Sequence, residues 1–80
     1  MIYEDDLKIG NVYLISRPSH GERNIIYVGF CEQVTFEEAS NLGIFPARIH
    51  EFYFLDTKQI ITIPFMLKDG IYQNRNIRSI

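Results

Sequence analysis

The sequence predicts a mainly β fold: a small antiparallel barrel of four to five strands with one short helix at about residues 36–42. Isoleucine and aromatic residues are abundant whereas alanine is rare, a composition that favours strands over helices. Residues 48–67 alternate in the manner of two strands joined by a tight turn. Only one stretch carries the start and stop signals of a helix. The alternative is a small α+β domain with that helix packed on an open sheet.

The first third of the chain predicts two strands separated by a polar loop. Residues 1–8 are interpreted as a polar lead-in, and Val12–Arg17 alternate as a first strand. A polar loop containing proline and glycine follows, which is typical of a connection between strands. The second strand extends over about residues 25–33, and Gly29 inside it indicates a bulge or a bend.

The helix signal follows directly. Thr35 fits the N-cap of a capping box, with Glu38 reaching back to it from the third helical position. Gly43 supplies the left-handed residue that commonly follows the last turn. The sequence therefore predicts a helix of about two turns over residues 36–42.

The most regular part of the chain predicts a hairpin. Residues 48–55 and 60–67 are two strand patterns joined by Asp56–Gln59. A two-residue turn and a four-residue loop both place Leu55 opposite Ile60, so the predicted register does not depend on the turn. The predicted core face of this hairpin carries Phe52, Phe54, Ile61 and Ile63.

The C-terminal quarter predicts short elements. Pro64 indicates that the hairpin pairing ends there or that the strand lies at a sheet edge. Lys68–Gly70 have turn chemistry, Ile71 and Tyr72 begin a short piece, and residues 77–80 predict a final short strand. No boundary, linker or repeat divides the chain, so residues 1–80 are predicted to form a single domain.

These elements resemble an SH3-like barrel. The resemblance is carried by the entry segment 7–13, the polar loop 17–24 and the hairpin 48–67 with its short coda. It is architectural, covers about residues 7–80, and departs from a plain SH3-like barrel at the insertion 35–46. The aromatic and acidic signature of a peptide-binding SH3 loop is absent from residues 17–24, so no peptide-binding residues are carried over.

Size and charge exclude several classes of function. The chain has 80 residues, eight basic against ten acidic side chains, and a formal net charge of −2, which argues against strong binding to polyanions. The single cysteine excludes a disulfide framework and a zinc site built from several cysteines. The acidic N-terminus lacks a signal-peptide pattern, and no apolar run approaches the roughly 20 residues of a membrane span. We therefore expect a cytoplasmic protein without a membrane partner.

No motif of catalysis, metal binding or cofactor binding is present. Cys31 is interpreted as a small hydrophobic residue buried in a strand, His20 as a solvated loop residue, and His50 as a residue at the sheet margin. The acidic run Glu4–Asp6 is interpreted as a solvated tail. We predict no enzyme, no cofactor and no metal, with redox or nucleophilic chemistry at Cys31 as a weaker third hypothesis.

The favoured function is that of a non-catalytic protein-binding module. The connection Leu42–Ala47 is unusually apolar, and an exposed Ile44 or Phe45, together with Tyr53, would anchor a partner protein. Alternatively, Phe45 plugs the end of the barrel. A homodimer through an open strand edge is a further expectation. In style the chain resembles small accessory proteins of tailed phages, some of which inhibit host or defence proteins by steric binding.

The alternative function is nucleic-acid binding. Small barrels often bind nucleic acids, and Arg75, Arg78 and Arg48 predict a basic rim that contacts phosphates. Tyr27 and Tyr53 would then serve as stacking platforms for bases.

Overall fold

Seven strands and one short helix make up the fold in a computed structural model that describes residues 1–80. Each strand is antiparallel to its neighbours. A short 3-10 helix, Glu4–Asp6, follows the first strand. The elements in chain order are β1 (Ile2–Tyr3), β2 (Val12–Arg17), β3 (Gly21–Val34), α1 (Phe36–Leu42), β4 (Ala47–Phe54), β5 (Ile60–Lys68), β6 (Ile71–Asn74) and β7 (Ile77–Ser79).

The strand order β1-β6-β5-β4-β3-β2-β7 curls into a nearly closed barrel. The two edge strands, β1 and β7, lie beside each other, which brings the ends of the sheet together. The predicted mainly β class and small barrel are therefore confirmed. The predicted number of four to five strands is too low, because the lead-in contributes β1 and the C-terminal coda divides into β6 and β7.

Strand β3 is the longest element, with 14 residues, and pairs with both β2 and β4. It pairs with β2 over residues 21–26 and with β4 over residues 25–34, so Ile25 and Ile26 have both strands beside them, whereas beyond Tyr27 only β4 is paired. Gly29 has a φ of 153° and lies at a break in the β3–β4 register, so the predicted bulge is confirmed. A second break follows between Phe30 and Glu32, which leaves Cys31 as the extra residue.

The β4–β5 hairpin has the predicted core face but not the predicted register. Phe52 lies opposite Ile61 rather than Ile63, and Tyr53 lies opposite Ile60. The register moves by two residues because Leu55 leaves the hairpin, where its backbone N–H donates to the carbonyl oxygen of Asn24 in β3. A shift by an even number preserves which side chains face inward, so Phe52, Phe54 and Ile63 are buried as predicted.

Pro64 does not end the hairpin pairing, since it lies opposite Ile49 and β5 continues to Lys68. The proline is tolerated because β6 pairs with β5 only over residues 66–68, so β5 has no second neighbour at that point. The predicted turn before β6 is confirmed. Asp69 and Gly70 both have positive φ angles, 54° and 77°, as in the two-residue type I′ turn of a β-hairpin.

The core fills the barrel with side chains from six of the seven strands. Four of these side chains, two aromatic and two aliphatic, have no exposed surface, and the Phe52 and Phe65 rings stack at a centroid distance of 6.4 Å. Leu7, Ile61 and Tyr72 pack against the outside of this cluster. The core cluster consists of Ile2, Tyr13, Ile15, Ile25, Tyr27, Phe52, Phe54, Ile63, Phe65 and Ile77.

The helix α1 begins and ends where the sequence predicts. The Thr35 hydroxyl oxygen accepts a hydrogen bond from the Glu38 backbone N–H at 3.2 Å, and Gly43 has the left-handed conformation with a φ of 70°. The predicted return contact differs, because the Glu38 carboxylate accepts from the Thr35 hydroxyl at 3.3 Å rather than from its backbone. Of the seven helical residues only Ala39 is buried, so the alternative of a helix packed on an open sheet is wrong.

We expect burial, rather than residue type, to decide the cost of shortening an isoleucine in a strand. Ile25→Val removes a methylene from a fully buried side chain and should lower the free energy of unfolding by about 0.5–1.5 kcal/mol. Ile60→Val is the matched control, because Ile60 also lies in a strand but is 63% exposed, and its cost should stay under about 0.5 kcal/mol. Urea unfolding of both variants measures this, and equal losses would contradict the assignment of the core.

Candidate functional site

The most prominent surface of the molecule is apolar and lies at the end of the β3–β4 hairpin. Four large side chains of α1 and the connection to β4 are exposed to between 52% (Ile44) and 72% (Phe45) of their surface. We call this surface the helical tip; it consists of Phe36, Leu42, Ile44 and Phe45. Phe45 therefore does not plug the barrel, and the predicted exposure of Ile44 and Phe45 is what the structure shows.

The helical tip is exposed because the local sequence turns it away from the core. Phe36, Ala39 and Leu42 recur every three residues and so share one face of the helix, but of the three only Ala39 is buried. Gly43 then reverses the chain in the left-handed conformation, and its N–H and that of Ile44 bond to the last turn of the helix. Ile44 and Phe45 come directly after this reversal, and their side chains are exposed to solvent.

Size and charge distinguish the helical tip from ordinary surface. From the exposed fractions, its apolar area is on the order of 500 Å², near the upper end of the largest patch on a typical monomer. Its surroundings are acidic: Glu32, Glu37 and Glu38 are the charged side chains between Cys31 and Ala47, and none of them forms an ion pair. The site therefore offers apolar anchors inside a negatively charged rim.

Tyr53, the third predicted partner-binding residue, lies at the other end of β4. It lies six positions after Ala47, the first residue of the strand, which corresponds to about 20 Å along β4. The structure thus does not bring Tyr53 together with Phe45. It lies instead beside Leu55, Lys58 and Ile60 in a shallow groove of about 370 Å³ at the β4–β5 turn.

The three arginines predicted to form a basic rim are not gathered into one patch. Arg48 lies in β4, where its Nε donates to the Glu4 carboxylate at 2.6 Å. Arg78 lies in β7 and makes a two-pronged contact with the Glu22 carboxylate at 2.8 and 2.9 Å. Arg75, in the β6–β7 turn, is exposed and has no carboxylate partner. Two of the three positive charges are therefore neutralised within the chain.

A chain of hydrogen bonds runs through the interior beneath β3. The Tyr27 hydroxyl lies 2.8 Å from His50 Nδ1, and His50 Nε2 lies 2.7 Å from the Glu4 carboxylate. Arg48 bonds the same carboxylate and covers the Phe30 ring at 4.5 Å from its centroid. Four side chains from the 3-10 helix, β3 and β4 are thereby joined into one network.

Burial assigns the proton positions in this network. Loss of hydration, followed by the negative charge of Glu4, raises the pKa of Tyr27 above its usual value of 10.0. The phenol therefore keeps its proton. Because the Glu4 carboxylate only accepts, His50 donates to it from Nε2, and in the corresponding neutral tautomer Nδ1 accepts from the phenol. Tyr27 and His50 are 7% and 2% exposed, so neither ring offers an atom to a substrate, and the network stabilises the fold.

Three sequence interpretations of polar residues are corrected here. His50 lies in the core rather than at the sheet margin, and its alternation with Phe52 and Phe54 is the signal that indicates this. Glu4 belongs to an ordered 3-10 helix and an ion pair rather than to a solvated tail. Cys31 is exposed rather than buried, because the bulge at Gly29 shifts the alternation of β3.

The remaining candidates for chemistry are isolated. His20 is exposed in the β2–β3 turn and makes no side-chain hydrogen bond, and Cys31 has no histidine or basic group bonded to it. No group of three or more histidine, cysteine, aspartate or glutamate side chains is arranged to hold a metal ion. The only helices are too short to cross a membrane.

Comparison with known proteins adds no relative. No protein family, no curated protein and no solved structure was found to match the chain.

We expect Tyr27→Phe to change both stability and its dependence on alkaline pH. At neutral pH the variant leaves His50 Nδ1 without a donor, which should cost about 1–3 kcal/mol of unfolding free energy. The wild-type pKa of Tyr27 is raised in the folded state, so its stabilising contribution is complete below pH 10. It declines as the pH rises from 10 towards the folded-state pKa, because the unfolded chain releases the proton first.

Urea unfolding at pH 7 and between about pH 9 and 11, a range that brackets the ordinary tyrosine pKa of about 10, measures both effects. Tyr53→Phe is the matched control, since Tyr53 is partly exposed and makes no side-chain hydrogen bond. The difference between wild type and Tyr27→Phe should shrink towards high pH, whereas Tyr53→Phe should follow the wild type. A constant difference over the whole range would contradict the role of the phenol as a buried donor.

Proposed function

We propose that the chain is a non-catalytic module that binds a partner protein through the helical tip. The single observation that carries the proposal is the cluster of four large apolar side chains on one end of the molecule. Burying that surface against a partner would gain roughly 25 cal/mol for each Å² removed from water, whereas leaving it in water gains nothing for the fold.

The partner surface is expected to be apolar with basic groups at its margin. Phe45 is the most exposed of the four at 72%, and together with its neighbour Ile44 it suits the role of an anchor that fills a pocket on the partner. Glu37 and Glu38, in the first turn of α1, carry charges that attract lysine or arginine on the opposing surface. The exposed Cys31 has no histidine or basic group bonded to it, and the proposed action is therefore steric: the module covers a surface that the partner needs.

The finer parts of this proposal rest on the sequence. The likeness to an SH3-like barrel and to accessory proteins of tailed phages would make the partner a host or defence protein that the module inhibits in the cytoplasm. Support from the structure extends to the small barrel and to the exposed tip, and the steric action does not depend on the source of the chain.

We expect Phe45→Asp to abolish partner binding without affecting the fold. Truncating a central anchor typically costs 2 kcal/mol or more, about 30-fold in affinity, and a buried carboxylate costs further. Ile80→Asp is the matched control, because Ile80 is 76% exposed but lies at the C-terminus. Affinity capture from native extracts with quantitative mass spectrometry should retain the same protein on wild type and Ile80→Asp and lose it on Phe45→Asp. Equal retention on all three would refute the helical tip as the binding surface.

Nucleic-acid binding remains the alternative prediction. It requires the arginines to exchange carboxylates for phosphates, because Arg48 and Arg78 already hold Glu4 and Glu22. The double variant Arg75→Gln, Arg78→Gln should then weaken binding to duplex or single-stranded oligonucleotides. Binding should also fall steeply between about 50 and 200 mM salt. Filter binding or fluorescence anisotropy decides this, and the absence of retained oligonucleotide at 50 mM salt would exclude the alternative.

A further inference from the structure

A second apolar surface lies at the opposite end of the molecule from the helical tip. The groove at the β4–β5 turn has a volume of about 370 Å³ and is lined by Tyr53, Leu55, Lys58 and Ile60. Three of these four residues are hydrophobic, which makes it the one of the four surface grooves in which hydrophobic residues form the majority of the lining. We call it the hairpin groove.

The hairpin groove is open because its residues lie past the last core layer. Leu55 leaves the hairpin to bond with Asn24, and Ile60, the first residue of β5, is 63% exposed. Lys58 holds a positive φ of 60° in the turn between them. The result is a shallow apolar concavity with one ammonium group at its edge.

The two ends carry opposite charge. At the helical tip, Glu32, Glu37 and Glu38 have no ion-pair partner, and no basic residue lies between Cys31 and Ala47. At the hairpin end the acidic groups are already neutralised.

There Asp56 is held by Arg23 at 2.8 Å and Glu22 by Arg78 at 2.8 Å. Hydrogen bonds from the Arg23 side chain keep the pKa of Asp56 below its usual value, so this pair remains ionised and balanced. Lys58 and Arg17 therefore remain as unpaired cations at this end of the sheet.

We propose that the helical tip of one chain docks into the hairpin groove of a second copy. The inference rests on the proposed function, since it assigns an occupant to the same tip. Phe45 is the knob: a cavity of about 150 Å³ is enough to hold a benzene ring, so the groove has room for the phenyl ring and part of Ile44. Glu37 and Glu38 then approach Lys58 of the second chain.

This contact joins two different surfaces, so it is head to tail and leaves one tip and one groove free in every pair. The ends lie at opposite termini of β4 in a molecule 37 Å long, so a chain of copies extends along the long axis. The contact area is small compared with the 1,200–2,000 Å² of stable complexes, and we expect weak association with a dissociation constant on the order of 0.1 mM.

Two self-pairings that use one surface twice are less favourable. Tip against tip brings the unpaired carboxylates of both copies together, and groove against groove brings both Lys58 side chains together. Pairing through the exposed edge of β3 meets the two bulges at Gly29 and Cys31, which interrupt the ladder that a second strand needs.

The test uses two variants that each remove one half of the contact. Phe45→Asp removes the knob and leaves the groove intact, whereas Ile60→Asp removes the groove and leaves the knob intact. Sedimentation equilibrium of the wild type at low salt, from about 10 μM to 1 mM, should give a weight-average mass rising above 9.4 kDa without a plateau at the dimer. Each variant alone should stay monomeric, and their equimolar mixture should form a heterodimer that does not grow further.

Other outcomes overturn the inference in distinct ways. A wild type that stays monomeric to 1 mM refutes self-docking, while loss of a captured partner on Phe45→Asp still upholds the proposed function. A dimer of Ile60→Asp alone indicates tip-to-tip pairing, and a dimer of Phe45→Asp alone indicates groove-to-groove or edge pairing. Circular dichroism verifies that each variant is folded. Should Ile60→Asp not fold, Lys58→Glu replaces it and should weaken wild-type association at least several-fold.

Discussion

The length of β3 is the constraint on which the rest of the structure depends. Residues 21–26 pair with β2 and residues 25–34 pair with β4, so Ile25 and Ile26 join both strands in the barrel wall, whereas beyond Tyr27 the strand continues with β4 alone. Near Ile25 the strand is consequently paired on both sides as part of the barrel, and beyond Tyr27 it forms a protruding hairpin with β4. The helix α1 and its connection to β4 directly follow β3, so this overshoot places them beyond the barrel wall. Phe36 and Leu42 consequently remain exposed although they are apolar.

The same overshoot explains why a polar network lies inside so small a core. Where β3 leaves β2, the barrel wall on that side is supplied by the N-terminal segment with its 3-10 helix. Glu4 extends from this segment to Arg48 and His50, and Tyr27 closes the chain of hydrogen bonds from the other side. Every buried polar side-chain atom has a partner, so the network avoids the cost of about 1–3 kcal/mol for each unsatisfied group. The N-terminus is thus ordered by electrostatics as well as by the burial of Ile2.

Local signals predicted the local structure of this chain, and long-range pairing set the rest. The caps of α1, the Gly29 bulge and the Asp69–Gly70 turn each depend on a few neighbouring residues, and all are confirmed. The hairpin register was wrong by two residues because side-chain alternation repeats every two, and a shift of two leaves the pattern of faces unchanged. The register is shifted by the hydrogen bond between Leu55 and Asn24. Asn24 lies 31 positions away in sequence, so the local pattern of the hairpin does not indicate this bond.

The candidate site divides in the same way. The exposure of Phe45 followed from an apolar connection that the core did not need, whereas its separation from Tyr53 follows from the direction of β4. The predicted position of His50 is wrong because its place in the strand, two residues before Phe52, decides which face it takes, and the polarity of the imidazole does not. Cys31 was misplaced because a bulge changes the face of every residue after it, and its exact position in a strand cannot be derived from alternation alone.

The charge difference between the two ends limits what can occupy the helical tip. A partner must cover Phe45 and its apolar neighbours and must also offer positive charge to Glu37 and Glu38, because burying carboxylates without partners is costly. The chain's own hairpin groove satisfies the same two conditions, with Lys58 as the cation. Under the proposals made here, another protein and a second copy therefore compete for one surface. By mass action the tip is held by whichever occupant has the larger ratio of free concentration to dissociation constant. Weak self-association then acts as a threshold: a protein bound more tightly displaces the second copy, and a less complementary surface does not.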